Sequence, residues 1–167
     1  MLVVGDDHPR ACTGRRLLRL GLAGELRERP SARERPVVLD PYAERPLTLQ
    51  DRAAAEADGI VVVDCSWNRL SGGQGPARFP AGLARRLPML VATNPQHFGR
   101  LGELNTAEAL AAALFVLGRP EQARALLRGF AGGETFFEVN RERLRRYASG
   151  GTPAEVVAAE RALFDPV

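Results

Sequence analysis

The fold is decided by residues 60–67, which read IVVVDCSW in one-letter code. Residues 60–63 are all β-branched, and such a run predicts a strand that is buried on both faces. Strands of this kind are typical of parallel sheets that are covered by helices. Asp64 stands at the carboxyl end of this strand, where open α/β sheets bind their ligands.

The flanking chain alternates between strand-like and helical patterns. Further strands are predicted at residues 2–4, 37–39 and 89–92. Helical spacing occurs over residues 15–22, 50–58 and around 81–86. Because strands and helices alternate at this spacing, we expect a parallel α/β sheet.

From residue 105 onward the pattern is helical throughout. Asn105 and Glu108 have the spacing of a capping box, as do Thr152 and Glu155. Pro120 is typical of the first turn of another helix, and residues 134–148 predict one Arg-rich helix. We therefore expect an α/β domain over residues 1–90 and a helical domain over residues 91–167.

Composition restricts the class of protein. The 167 residues are 45% hydrophobic and 26% charged, which is typical of a soluble globular protein. All 23 basic residues are Arg, and the net charge is +3. Because Arg binds phosphate through paired hydrogen bonds, this composition permits a nucleic-acid partner without requiring one.

Metal sites and membrane spans are not indicated. The two cysteines, Cys12 and Cys65, and the two histidines lack zinc-site spacing, so both thiols are interpreted as small buried apolar residues. No apolar run reaches the roughly 18 residues that a membrane span needs, and the start of the chain is too short and too acidic for a signal peptide. We expect a cytoplasmic protein with no membrane partner and no metal.

Three polar segments fall at predicted carboxyl ends of strands or just beyond them. They are residues 7–14, 64–67 and 92–99. Each has a plainer interpretation: Asp64 as a turn cap, Trp67 as a core residue, and His97 as a side chain without a catalytic partner nearby in sequence. Since no nucleophile elbow or glycine-rich nucleotide-binding motif is present, the residues alone indicate a ligand-binding α/β protein.

Taken in series, five segments carry a resemblance to a known family. They read CTGRRL at 12–17, VVDCSW at 62–67, LPMLVATNP at 87–95, FG at 98–99 and LNTAEA at 104–109. In this order and at these distances they resemble the small-subunit ribosomal RNA aminocarboxypropyltransferases of archaea and eukaryotes. The resemblance extends over residues 7–147.

The resemblance implies a fold and a reaction. The fold would be SPOUT-like, with a deep trefoil knot at the cofactor pocket. The reaction would transfer the 3-amino-3-carboxypropyl group of S-adenosylmethionine (SAM) to N3 of an N1-methylpseudouridine in small-subunit rRNA. The partner would be that RNA or a pre-ribosomal particle, and the protein would act as a monomer.

The resemblance also implies residue roles. Thr13 would hold the methionine chain, Trp67 would cover the methyl group, and Asp64 would face the amino group or sulfonium or act as a base. The remaining SAM contacts would come from Val63, Leu90, Asn105, Thr106 and Ala109. RNA would be bound by Arg10, Arg15 and Arg16, and a second candidate face at residues 141–146 could equally be a solvated helix surface.

Several positions depart from the family pattern. Thr93, His97 and Phe98 replace the more usual Ala, Asn and Tyr, and Ala131 stands where Trp is expected. A Gly-rich stretch at residues 71–76, whose function the sequence does not indicate, replaces a charged helix start. These changes bear on RNA contacts more than on SAM binding. The alternatives are a SPOUT-type RNA methyltransferase and a non-catalytic ribosome-assembly factor that binds RNA.

Overall fold

Four short parallel strands form a sheet in a computed structural model of the protein. The strands are β1 (Leu2–Val3), β2 (Val37–Leu39), β3 (Ile60–Asp64) and β4 (Leu83–Arg85). The structure describes residues 2–3 (backbone only), 12–26, 30–31, 33–64 and 81–164. The predictions of strands at 37–39 and 60–63 are confirmed to within a residue, and the strand predicted at 2–4 is confirmed for residues 2–3, residue 4 lying outside the described residues.

The strand order is β1-β3-β2-β4, which places β3 inside the sheet. β3 pairs with β1 so that Val3 lies opposite Asp64, and with β2 so that Leu39 lies opposite Val62. Because every pair is parallel, the carboxyl ends of the strands share one edge of the sheet. Asp64 therefore lies at the edge where ligand sites are expected in this class of fold.

Seven α-helices accompany the sheet within the described residues. They are α1 (Thr13–Arg19), α2 (Arg52–Asp58), α3 (Thr106–Val116), α4 (Pro120–Leu127), α5 (Gly133–Val139), α6 (Arg141–Ser149) and α7 (Pro153–Phe164), and a 3-10 turn over Leu49–Asp51 precedes α2. Among these helices, none is long and apolar enough to cross a bilayer.

Helix α3 joins the sheet to the helical half. It packs against β3, α1, α4 and α6. Four of its alanines are fully buried: Ala107, Ala111, Ala112 and Ala113. Because alanine side chains are small, neighbouring elements can pack closely against several sides of this helix. Both predicted capping boxes are confirmed: Glu108 N donates to Asn105 Oδ1 at 2.9 Å, and the second is present at Thr152 and Glu155.

The prediction of a helix around residues 81–86 is wrong. Leu83–Arg85 is strand β4, which pairs in parallel with β2. Leu83 N donates to Pro36 O at 2.8 Å, and Arg85 Nε donates to the buried carboxylate of Asp51 at 2.9 Å. These partners are distant in the chain, and tertiary pairing overrides the local helical spacing.

The prediction of a strand at residues 89–92 is also wrong. Apart from one isolated bridge between Val91 and Leu101, the segment is outside the sheet. Side chains of the helical half bond to its backbone instead: Asn140 Oδ1 accepts from Val91 N at 2.9 Å and Asn140 Nδ2 donates to Val91 O at 2.9 Å. The Tyr147 hydroxyl donates to Met89 O at 3.0 Å, and Glu160 Oε1 accepts from Met89 N at 2.8 Å. Leu90 and Ala92 are thus buried without a strand partner in the sheet, whereas Met89 is exposed.

Asn140 also lies at the third difference between the predicted and the observed secondary structure. Residues 134–148 were predicted as one helix, but the chain forms α5 and α6 with Asn140 between them. The fully buried amide of Asn140 donates to Phe136 O as well as to Val91 O. The break between the helices lies at the residue whose side chain binds the 89–91 backbone.

We predict that Asn140→Ala lowers the free energy of unfolding by about 2–4 kcal/mol, because the backbone groups of Val91 lose their buried partner. Urea denaturation measures the change. Gln122→Ala, which removes an exposed amide from α4, is the control and is expected to change stability by less than about 0.5 kcal/mol. Equal effects of the two substitutions would contradict the role given to Asn140.

Candidate functional site

The carboxylate of Asp64 connects three elements of the fold. One oxygen, Oδ2, accepts a hydrogen bond from the Cys12 thiol at 2.7 Å, and the other, Oδ1, accepts one from the Thr106 hydroxyl. Cys12 is the N-cap of α1, and Thr106 is the first residue of α3. The end of β3 and the starts of two helices therefore meet at one side chain, which is 8% exposed.

Gly14 makes this close approach possible. A Cβ atom added at Gly14 would lie 2.4 Å from both Cγ and Oδ2 of Asp64. No side chain fits at such a separation, so the Asp64 carboxylate rests directly on the backbone of the first turn of α1. This contact gives a physical reason for glycine in the CTG segment.

Cys12 is more than a buried apolar side chain. It is buried, as the sequence predicts, but it also donates to Asp64 and accepts from Arg15 N at 3.4 Å. Burial, and next the hydrogen bond to Asp64, raise the pKa of the Cys12 thiol. Because a raised pKa keeps the thiol protonated, Cys12 remains a hydrogen-bond donor at neutral pH.

A second buried carboxylate, Glu108, organises the neighbouring loop. Its Oε1 accepts from Thr93 N at 2.8 Å, and its Oε2 accepts from Asn94 Nδ2 at 2.7 Å and from Asn105 N at 3.0 Å. The residue is only 3% exposed, and these donors satisfy its charge. Glu108 thereby ties the TNP segment to the first turn of α3.

Thr93, one of the residues that differ from the expected family pattern, contacts Gly132, the neighbour of a second such residue, Ala131. The Thr93 hydroxyl lies 2.9 Å from Gly132 O and 3.0 Å from Glu108 Oε1. Gly132 has φ +79, and a Cβ there would lie 2.1 Å from Thr93 O. Thr93 thus contacts the turn in which Ala131 and Gly132 stand.

The other departures lie in the turn that follows. His97 Nδ1 contacts the Glu103 carboxylate, which also accepts from Arg100 at 3.2 Å. His97 therefore has an acidic partner, which the sequence analysis did not identify. Phe98 is 66% exposed. This turn presents an aromatic side chain to solvent beside a compact cluster of charged groups.

The residues predicted to contact the cofactor are described in part. Asp64 and Thr106 are in direct contact, Val63 and Asn105 adjoin them in sequence, and Thr13 begins α1 next to Cys12. Ala109 is half-buried, one turn into α3. Leu90 is fully buried, and its carbonyl accepts from Gly102 N at 2.8 Å. Trp67 and the Gly-rich stretch 71–76 lie outside the described residues.

The predicted RNA-binding arginines differ in their surroundings. Arg15 and Arg16 are both exposed, but Arg16 also donates to Gly129 O at 2.8 Å and its guanidinium lies 4.7 Å from the centroid of the Phe130 ring. Arg16 therefore also stabilises the turn after α4. Arg10 lies outside the described residues.

The second candidate face, residues 141–146, carries contacts within the helical half. Arg146 pairs with Glu142 at 2.6 Å, and the Arg143 guanidinium lies 5.1 Å from the Phe164 ring. Within the part of the chain that the structure describes, no cluster of His, Cys, Asp and Glu could hold a metal ion.

Sequence reasoning missed three residues of the site. Cys12 was interpreted as apolar, Gly14 received no separate role, and Glu108 was interpreted only as a capping residue. The sequence contains a signal for two of them. Cys12 directly precedes a predicted helix, where an N-cap residue is expected. The carboxylate of a capping-box glutamate such as Glu108 can accept further hydrogen bonds from a second loop.

We predict that Gly14→Ala lowers the free energy of unfolding by about 1–3 kcal/mol, since the added methyl group must displace Asp64 or the start of α1. Alanine ordinarily stabilises a helix relative to glycine, so the sign of the effect is diagnostic. Chemical denaturation measures it. Gly24→Ala is the control, because a Cβ there meets nothing within 4 Å. A stabilising Gly14→Ala would refute the close contact with Asp64.

Comparison with known proteins gives concordant results. A family model described as "Ribosome biogenesis protein, C-terminal" matches residues 37–164. A 16S rRNA aminocarboxypropyltransferase of Halobacterium salinarum is 46% identical over 164 residues, covering 96% of this chain and 93% of the relative. A protein of the same name from Methanopyrus kandleri is 43% identical, covering 93% and 91%.

A solved structure agrees as well. The SAM-dependent rRNA:acp-transferase Tsr3 from Vulcanisaeta distributa is 32% identical and superimposes with a TM-score of 0.81. The similarity covers 99% of this chain and 96% of that protein. At this level of identity and coverage the similarity concerns the whole fold, including the strand end that carries Asp64.

Proposed function

Because the chain belongs to the family of small-subunit rRNA aminocarboxypropyltransferases, we propose that it transfers the 3-amino-3-carboxypropyl group of SAM to N3 of an N1-methylpseudouridine in small-subunit rRNA. The main structural support for this proposal is the buried carboxylate of Asp64. It lies at the carboxyl edge of the sheet, between the starts of α1 and α3.

The surroundings of Asp64 suit a cationic ligand. The two donors that the described residues supply, a thiol and a hydroxyl, are neutral, so they leave the negative charge of Asp64 for the sulfonium or the amino group of SAM. The weakly polar, mostly buried setting strengthens such an attraction relative to bulk water. These features fit SAM as the second substrate.

The SAM contacts are assigned to two walls. Thr13, Val63, Asp64 and Trp67 form one wall, and Leu90, Asn105, Thr106 and Ala109 form a second wall that meets the first where Thr106 donates to Asp64. The side chain of Asn105 caps its own helix, which supports a role through the backbone instead. The first N–H groups of α3 have no partner within the helix and are therefore suited to ligand oxygens.

The reaction depends on which carbon of SAM faces the acceptor. Transfer of the aminocarboxypropyl group forms a bond between N3 and Cγ, breaks the bond between sulfur and Cγ, and leaves methylthioadenosine. The N3 proton must depart, and Asp64 is assigned either to accept it or to balance the positive charge of SAM. Trp67 is assigned to cover the methyl group, so that the choice of carbon follows from orientation in the pocket.

RNA is assigned to the mouth of this site through Arg10, Arg15 and Arg16. Arginine binds phosphates through paired hydrogen bonds, and the exposed position of Arg15 supports such contacts. The target base would leave its loop and enter the pocket. RNA affinity would then fall as salt concentration rises.

The knot, the domain boundary and the oligomeric state are part of the same proposal. We assign a SPOUT-like fold with a trefoil knot, divided near residue 90 into an α/β domain (1–90) and a helical domain (91–167) that contributes to the knot and the SAM pocket. The protein would act as a cytoplasmic monomer on rRNA or a pre-ribosomal particle. The superposition with the Vulcanisaeta distributa enzyme supports the overall architecture.

A paired labelling experiment tests the reaction. The full chain is incubated with small-subunit RNA containing N1-methylpseudouridine and with SAM labelled either in the carboxyl carbon or in the methyl group. We expect label in RNA from the carboxyl form only. Label from the methyl form only would make the protein a methyltransferase, and SAM binding without any transfer would favour a non-catalytic assembly factor.

We predict that Trp67→Ala weakens SAM binding and allows some methyl label to enter RNA, because space opens around the methyl group. Isothermal titration and the paired labelling assay measure the two effects. Phe137→Ala, which removes a buried aromatic ring packed against Phe115 and away from the assigned contacts, controls for general loss of packing. An unchanged affinity and an unchanged product would remove Trp67 from the pocket.

A further inference from the structure

The two donors to Asp64 have no part in the proposed reaction. Cys12 has no role there, and Thr106 is assigned only as a wall of the pocket. Yet the thiol and the hydroxyl bond to different oxygens of the same carboxylate. They come from separate elements, the N-cap of α1 and the first residue of α3, which lie 94 positions apart in the chain.

This arrangement fixes the rotation of the carboxyl group. A side-chain carboxyl group otherwise turns broadly about its last torsion angle. Here each oxygen has its own donor, and Gly14 lies against the carboxyl carbon and prevents a retreat toward α1. Cys12, Gly14 and Thr106 are all buried, so the two hydrogen bonds are little exposed to bulk water.

Neutral donors are suited to this task. A cationic donor such as Arg would neutralise Asp64, whereas a thiol and a hydroxyl hold it and leave its charge for a ligand. A carboxylate accepts about four hydrogen bonds, so about two positions are left unused by the donors that the structure describes. The fixed rotation decides where those two point.

We propose that Cys12 and Thr106 are positioning residues that act through Asp64, holding its carboxylate in the orientation in which SAM is bound. The inference rests on the proposed function, because it supposes that SAM occupies this site. It adds Cys12 to the functional residues and gives the Thr106 hydroxyl a specific task. Asp64, Cys12 and Thr106 then form one unit, in which Cys12 and Thr106 affect SAM affinity only through Asp64.

Cys12 also has a purely structural task, from which the proposed one must be separated. Its sulfur accepts from Arg15 N at 3.4 Å, so its loss weakens the cap of α1 whether or not SAM binds. Stability alone therefore does not test the inference. The test is whether the effect of Cys12 on SAM affinity disappears when Asp64 is absent.

A double-mutant cycle on the full chain makes this measurement. SAM affinity is determined by isothermal titration for Cys12→Ala, Thr106→Val and Asp64→Ala, and for each donor substitution combined with Asp64→Ala. We expect each single substitution to weaken binding about tenfold, since each removes an interaction with a charged group. Each double variant should bind no more weakly than Asp64→Ala alone, because the donors then have no acceptor to orient.

Two variants serve as matched controls. Cys12→Ser keeps a proton donor at the same position and is expected to recover most of the affinity that Cys12→Ala loses. Thr48→Val removes another fully buried hydroxyl that lies near a carboxylate, that of Asp51, away from the site. It is expected to lower stability without changing SAM affinity. Urea denaturation verifies that every variant is folded. Asp64→Val, which also lacks an acceptor, replaces Asp64→Ala if the latter does not fold.

The outcomes separate this inference from the proposed function. If the wild-type protein binds SAM but the effects of Cys12→Ala and Asp64→Ala multiply, the two residues act independently and the inference is overturned. It is likewise overturned if neither donor substitution changes affinity. If the wild-type protein does not bind SAM at all, the proposed function itself is wrong.

Discussion

The contact between the Asp64 carboxylate and the starts of two helices is the constraint on which the site depends. Burying a carboxylate is unfavourable unless donors satisfy its oxygens, and Cys12 and Thr106 supply them. The need for these donors brings the first turns of α1 and α3 to the end of β3. Gly14 then follows, because any side chain there would occupy the position of the carboxyl group. One buried charge thus determines the distance between the sheet and the two helices beside it.

The second half of the chain is joined to the first by other buried polar side chains. Glu108 binds the backbone and side chains of the loop at 93–94, and Asn140 binds the backbone of Val91 on both its N–H and its carbonyl. In an ordinary sheet a neighbouring strand would satisfy these groups. Here the side chains of the helical half do so for Val91, and the backbone of residues 99–102 bonds to Leu90 and Ala92, so the segment is held in place without joining the sheet. A fixed segment of this kind suits a reaction whose outcome depends on the orientation of a bound molecule.

The sequence predicted the parts of the fold that local patterns control. The run at 60–63, the strand at 37–39, both capping boxes and the Pro120 helix depend on burial pattern and near neighbours, and all are confirmed. The three errors share one cause. Residues 83–85 became a strand through pairing with β2, the 89–92 run was satisfied by Asn140, Tyr147 and Glu160, and the 134–148 helix broke at Asn140. Each outcome depends on a partner far away in sequence, which single-sequence periodicity does not contain. In the site, Asp64 and Thr106 were predicted to belong together and do touch, whereas the role of Cys12 required the geometry.

We infer that Asp64 is an oriented anion that decides how SAM lies in the pocket. A crystal structure of the protein with SAM bound is the decisive measurement. We expect the Asp64 carboxylate, still bonded to Cys12 and Thr106, to lie within about 6 Å of the sulfonium or the amino group, with Cγ facing the open side of the pocket. A structure in which the methyl group faces the open side, or in which SAM binds away from the end of β3, would contradict it.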